Sequence, residues 1–240
     1  SAPYRTYDTG QLRCSAAHIK SLLRRGFIVS LTGSKFAAGP PFAGALLVPP
    51  AIMQLLRPMP LPAGLAAYSA QLDWPPILRR MLSPDFLPLA NIGLALRWQA
   101  ALAEIERFLA CAADLRSAIF AHFHQEVAQR VAAFACLDLL RPRAEQTESW
   151  RHSILCVAMR HADGRRFDMT EAAAVQHRLR EGDYGGTQAP FKRFHLGQPV
   201  AVGGAGVLRV CASAALVNPL AEAVAAGHPF VEALTPMTRD

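Results

Sequence analysis

The sequence predicts an α/β fold, with a layered first part joined through a proline-rich stretch to a small α+β domain. Three observations carry that prediction. Short strand-like runs alternate with helical pieces through the first 60 residues, and the alternation returns in the last third. Between them lies a long segment with the 3.6-residue period of a helix. The chain can also fill such a core, since 52% of its 240 residues are hydrophobic.

The elements follow in order. Residues 4–8 read as the end of a strand. Residues 15–25 place Ile19, Leu22 and Leu23 on one helical face, Gly26 is set to end that helix, and residues 27–31 read as the next strand. Residues 43–48 form an apolar run closed by the pair Pro49-Pro50, the pattern of a buried strand. Prolines 58, 60, 62, 75, 76, 84 and 88 then mark residues 53–88 as a connecting region. Residues 92–113 carry Leu94, Trp98, Ala101, Leu102, Ile105, Phe108 and Leu109 on a helical stripe, and a second long helix is expected over 115–140. In the last third, strands are expected at 153–159 and 207–213, and helices at 168–180 and 218–226. Asp168 with Glu171 fits a capping box. Asn218 before Pro219 suggests an N-cap with a first-turn proline, with Gly227 past the helix end. Gly203-Gly204-Ala205-Gly206 precedes a strand, so it reads as a turn and not as a dinucleotide loop.

Composition narrows the class of function. The net charge is +7 and the sequence pI about 9.6. Only Lys20, Lys35 and Lys192 are lysines, and the 22 arginines are spread along the chain instead of gathered in a stripe, which argues against a nucleic-acid binder. Five cysteines, odd in number and without a C-x-x-C pair, suggest reduced, buried thiols in a cytoplasmic protein. The uncharged window 37–56 carries Pro40, Pro41, Pro49 and Pro50, which would break a spanning helix, so no membrane association is expected. His122 and His124 point to different faces of a helix, so no metal site is expected.

The chemistry concentrates in one order of residues: Asp8-Thr9-Gly10-Gln11, a helix and a strand, Thr32-Gly33-Ser34-Lys35-Phe36, then Gly39-Pro40-Pro41-Phe42-Ala43-Gly44. An acid ending one strand and a lysine following the next would project from one sheet edge, where α/β proteins place ligands. This order resembles the second half of the catalytic domain of pyridoxal-phosphate-dependent enzymes of the aspartate-aminotransferase fold, in the class V aminotransferase and cysteine desulfurase branch. There an Asp-x-x-Gln element precedes the Schiff-base lysine by a similar interval.

The resemblance implies a set of roles. Lys35 would be the catalytic Schiff-base lysine, Asp8 would face the pyridine nitrogen of pyridoxal 5′-phosphate, and Gln11 would sit by its phenolic oxygen. Thr32 and Ser34 would help hold the phosphate. The segments 194–200 and 208–213 resemble the small domain of the same enzymes, where a strand arginine binds the substrate carboxylate, and Arg209 takes that place; a guanidinium pairs with a carboxylate through two parallel bonds. His195, Asn91 and Arg97 are weaker candidates. A lysine forms an imine near neutral pH only if its ordinary value of about 10.4 is lowered, and the apolar, glycine-rich surroundings of Lys35 suggest desolvation. The glycines and prolines of 39–44 would let the backbone pass close to the cofactor or a partner subunit.

On the resemblance, residues 1–60 are the C-terminal part of a cofactor-binding domain with a mainly parallel sheet, 61–90 a connecting region, and 91–240 linking helices and the small domain. The family's N-terminal half, which supplies the phosphate cradle and the stacking ring, has no counterpart in this sequence. A homodimer is implied, with a separate N-terminal chain as a further partner. The expected reaction is transamination of an amino acid or related amine. The alternatives are lyase chemistry of the desulfurase or decarboxylase type, and a truncated, non-catalytic relative serving assembly.

Overall fold

The computed structural model describes residues 4–55, 61–140, 153–182 and 196–230. They form a mixed α/β structure with two small sheets, and the chain divides into two compact units, Ser1–Phe108 and Leu109–Asp240.

In the first unit, β1 (Arg5–Asp8) runs into α1 (Ala16–Arg24), β2 (Phe27–Thr32) and β3 (Gly44–Leu47), and the sheet order is β1-β2-β3. Ser15 caps α1 by accepting from the His18 N–H, and Gly26, at φ 79°, closes its end as expected. The strands β1 and β2 are parallel, joined by α1, whereas β3 returns antiparallel because a loop without a crossover helix connects it to β2. The expected mainly parallel sheet is therefore corrected to one parallel and one antiparallel pair. Tyr7 stacks edge-on against His18 of α1 and against Phe27, so α1 covers the sheet face that carries Tyr7, Phe27 and Val29. The opposite face holds Asp8, Ser30 and Leu46 in one row, and Leu46 is 66% exposed. The expected burial of this strand is thus corrected to one face, because Leu46 lies on the face opposite α1 whereas Ala45 and Leu47, on the other, are half-buried.

After α2 (Pro50–Leu55), residues 61–88 of the proline-rich stretch contain single turns, two of them 3₁₀ and one α3 (Pro76–Arg79), beside buried Phe86, which meets Trp74 edge-on. The long helix α4 (Ile92–Ala110) starts at Asn91, whose side chain accepts from the Leu94 N–H. Its buried residues Ala101 and Phe108 face the first unit's core beside Phe36, Ala37 and Ala43.

The second unit contains α5 (Ala113–Ala132), β4 (Leu137–Leu140), β5 (Ile154–Met159), α6 (Met169–Glu181), β6 (Gly197–Val202), β7 (Ala205–Cys211) and α7 (Ala214–Ala225). Its antiparallel sheet has the order β4-β5-β7-β6. The helix expected to continue to residue 140 ends at Ala132. Tight turns from Val131 to Phe134 and from Phe134 to Leu137 break its ladder, and Leu137–Leu140 pairs with β5. The last helix also differs from expectation. It begins at Ala214, one turn early, with the Leu216 and Val217 N–H groups on the Ser213 carbonyl. Asn218 is therefore buried inside α7 and is not its cap.

Other local readings hold. Asp168 and Glu171 exchange both capping-box bonds at 2.8 Å. Gly203 and Gly204, at φ 57° and 81°, make the two-residue turn between paired Val202 and Ala205, a hairpin that needs positive φ at both positions. The thiols differ from expectation: none of the five forms a disulfide, but none is buried, with Cys136 and Cys211 exposed. Cys14, Cys111 and Cys136 sit on bends and turns, Cys211 ends β7 and Cys156 lies within β5, and an apolar sequence context does not enclose them. Among the described residues no helix is long and apolar enough to cross a membrane.

Candidate active site

The parallel register places Asp8 beside Ser30 on one sheet face, and the Ser30 hydroxyl donates to Asp8 Oδ1 at 2.8 Å. The Gly10 N–H donates to the same oxygen at 2.7 Å, an Asx turn that reverses the chain after β1. The Ser30 hydroxyl and then the Gly10 N–H hold the Asp8 carboxyl below its ordinary value against a smaller desolvation effect, and the positive charge of Lys35 adds to the lowering. Asp8 is an ionised carboxylate whose described hydrogen bonds both end on Oδ1, which leaves Oδ2 to a ligand. Thr9 secures the turn, donating through both its N–H and its hydroxyl to the Ser30 carbonyl at 2.9 and 2.8 Å.

The Lys35 loop rests on α4. A methyl group at Gly33 would lie 2.5 Å from Ala101 Cβ, and one at Gly39 would lie 2.8 Å from the same atom, so only glycine lets the loop come this close. Gly39, within the segment expected to let the backbone pass close to a cofactor or partner, approaches α4, and Gly44 has open space around it. The loop is closed by the Gly33 N–H on the Ala43 carbonyl at 2.8 Å and the Gly39 N–H on the Gly33 carbonyl at 3.0 Å. Phe36 turns inward to meet Phe108 edge-on at 4.9 Å, and the Trp98 indole N–H donates to the Gly44 carbonyl at 3.2 Å.

Because Phe36 and Ala37 take the inward positions, Lys35 is left outside. Its side chain is exposed and makes no hydrogen bond or salt bridge among the described residues. This corrects the expected desolvation, since the apolar neighbours fill the core beneath the loop and do not surround the amine. Just before it, the Thr32 and Ser34 hydroxyls lie 2.8 Å apart, and the Ser34 N–H reaches Thr32 Oγ1 at 3.3 Å. Gln11 accepts through Oε1 from Arg13 Nε at 3.0 Å, and the Arg13 guanidinium lies 5.0 Å from the Phe36 ring centroid.

Three non-glycine residues among those described have positive φ: Leu12 at 51°, Ala38 at 53° and Phe42 at 68°. All three belong to the two loops that carry Asp8, Gln11 and Lys35. Such conformations cost about 1–3 kcal/mol each and tend to gather at functional sites. Ser30 and Arg13 escaped the sequence reading. Ser30 had a signal, a hydroxyl interrupting the apolar run of β2 between Val29 and Leu31; Arg13 had none, because its neighbour Phe36 is distant in sequence.

Comparison of the chain with family models, curated proteins and solved structures finds no match.

Asp8, Gln11, Thr32, Ser34 and Lys35 thus share the first unit, whereas Arg209 belongs to the second. On β7 its Nε and Nη2 both donate to the Gln198 carbonyl, at 3.2 and 3.0 Å, and it lies opposite Cys156 of β5. One edge of its guanidinium is therefore already committed, and the Nη1 end is the part left for a carboxylate. Asn91 caps α4, which accounts for that residue structurally. His195 lies outside the described residues.

Proposed function

We propose that this chain supplies the lysine side of a pyridoxal-phosphate site and that the protein acts on an amino acid or related amine, with transamination the favoured reaction. The observation that carries this reading is the pairing of an ionised Asp8 and an exposed, unbridged Lys35 at the end of a parallel β-α-β unit, in two loops that hold every positive-φ non-glycine of the described residues.

The donor set fits that cofactor. A carboxylate with one open oxygen suits a protonated ring nitrogen, a primary amine suits an aldehyde, and two adjoining hydroxyls suit a phosphate. When bound, the cofactor supplies an aldehyde that condenses with amines and a ring that spreads negative charge from the substrate α-carbon. The residues of the chain do the rest. Asp8 Oδ2 would hold the proton on the ring nitrogen, and Ser30 and Gly10 keep that carboxylate ionised and oriented. The Lys35 amine would hold the cofactor and would be the group to move a proton at the substrate α-carbon. Thr32 and Ser34 would donate to the phosphate. The lyase alternatives use the same groups and differ in which substrate bond is broken.

A second reading, a non-catalytic relative that serves assembly, is favoured by β1, all four of whose residues are exposed. One experiment separates the two. The protein is purified in its native assembly, incubated with pyridoxal 5′-phosphate, reduced with borohydride and peptide-mapped. A label on Lys35 that disappears in Lys35→Ala is expected; an unlabelled Lys35 in the intact assembly overturns the cofactor reading.

A further inference from the structure

We infer that Arg13 is a positioning residue that fixes Gln11 as a hydrogen-bond donor toward the cofactor's ring oxygen; this rests on the cofactor reading above. Arginine carries donors only, so the Gln11 atom that meets Arg13 Nε at 3.0 Å is the amide oxygen, and the amide NH₂ must face away from Arg13. A cationic donor on the oxygen also polarises the amide, which strengthens that NH₂ as a donor to an oxygen anion. Without Arg13 the side chain can turn over and present its oxygen instead, which would repel the same anion.

Arg13 is itself held from two sides. Leu12, at φ 51° with its N–H on the Thr9 carbonyl at 2.6 Å, closes the turn that throws Arg13 back toward the Lys35 loop. There its guanidinium lies over Phe36, the residue after Lys35, and Phe36 is fixed in turn by Phe108. Arg13 therefore links the turn after β1 to the lysine loop through one side chain. A cofactor held by Lys35 and Gln11 would therefore meet two loops that this one guanidinium joins.

The test compares two ligands that differ by one oxygen. The protein in its native assembly is titrated with pyridoxal 5′-phosphate and with its 3-deoxy analogue, and the ratio of dissociation constants is read for each variant. Arg13→Met is expected to reduce the preference for the hydroxylated ligand about tenfold, the scale of one hydrogen bond to a charged group. Arg13→Lys, which keeps a cationic donor, should retain most of it. Gln11→Leu should lose the preference, and adding Arg13→Met to it should change nothing further. Arg13→Gln, with a neutral donor on a shorter stem, should fall between wild type and Arg13→Met and decides the matter if the methionine variant does not fold. A merely structural role would weaken both ligands alike and leave the ratio unmoved. An unchanged ratio in these variants, with Lys35 still labelled, overturns the role of Arg13 and leaves the cofactor reading standing; absence of the Lys35 label in wild type overturns both.

Discussion

Replacing Gly33 by alanine tests whether the lysine loop is seated on α4 as described. The added methyl would stand 2.5 Å from Ala101 Cβ, with Ala43 Cβ and the Trp98 ring at 3.4 Å. Carbon atoms in contact prefer about 3.5–4.0 Å, so the loop or the helix must yield by about 1 Å. Overpacking of that kind costs about 1–3 kcal/mol, and the lost unfolded-state freedom of glycine returns about 0.4–1 kcal/mol. The net expectation is about 1–2 kcal/mol of destabilisation. Ala101→Gly removes the atom that is struck, at about 1 kcal/mol for glycine inside a helix. Combined, the two substitutions should cost about 0–0.6 kcal/mol and not the about 2–3 kcal/mol of their sum, because the clash is gone while the entropy returned by replacing Gly33 remains. Gly64, with open space around it, provides an alanine control expected to stay within about 0.5 kcal/mol. Urea unfolding followed by tryptophan fluorescence measures all four proteins, and Trp98 bonds to the same loop through Gly44. Additive costs in the double variant would refute the seating of Gly33 on Ala101.

Three further outcomes are expected. Asp8→Asn keeps an oxygen able to accept from Ser30 and Gly10, so the thermal midpoint should hardly move while turnover with amino-acid substrates falls; a loss of fold by circular dichroism would contradict this. Glu171 is held at about 2, chiefly by the Arg165 guanidinium and then by the Asp168 N–H. Its lowered value means that the stability it contributes is complete above its unfolded value near 4.5 and is lost as pH falls from there toward about 2. Glu171→Gln should flatten that part of the midpoint-against-pH curve, and an identical acid limb would count against the pairing. Gly206→Ala would drive a methyl into the Asp168 carbonyl, a backbone atom at the start of α6, so it should cost about 3 kcal/mol or more; expression at wild-type yield with an unchanged midpoint would refute that contact.

Much of the local structure was legible because it depends on neighbouring residues. The Asp168–Glu171 capping box, the ends of α1 at Gly26 and of α7 near Gly227, and the double-glycine hairpin turn each follow from a few adjacent positions whose backbone needs are specific. The same holds for the order of the candidate site: an acid at a strand end, a helix, a strand and a lysine place both groups at one sheet edge by chain direction alone.

Where a segment had two acceptable local states, distant partners decided. Leu137–Leu140 suits a helix or a strand by its own pattern, and pairing with β5 made it β4. Asn218 carries a cap signature, yet the chain enters α7 at Ser213 and buries Asn218 within it. Likewise, the apolar residues beside Lys35 announced burial, but burial belongs to Phe36 and Ala37, which the facing Phe108 and Ala101 draw inward while the lysine is left in water.

What the sequence by itself determined is thus the α/β class, most of the element order and the placing of an acid and an amine after neighbouring strands, since these depend on periodicity and chain direction. Only the tertiary structure decided that Ser30 orients Asp8, that two glycines seat the lysine loop on Ala101, and that Arg13 reaches both Gln11 and Phe36. Those contacts join residues far apart along the chain, and the close packing that creates them has no counterpart in the spacing of a linear pattern.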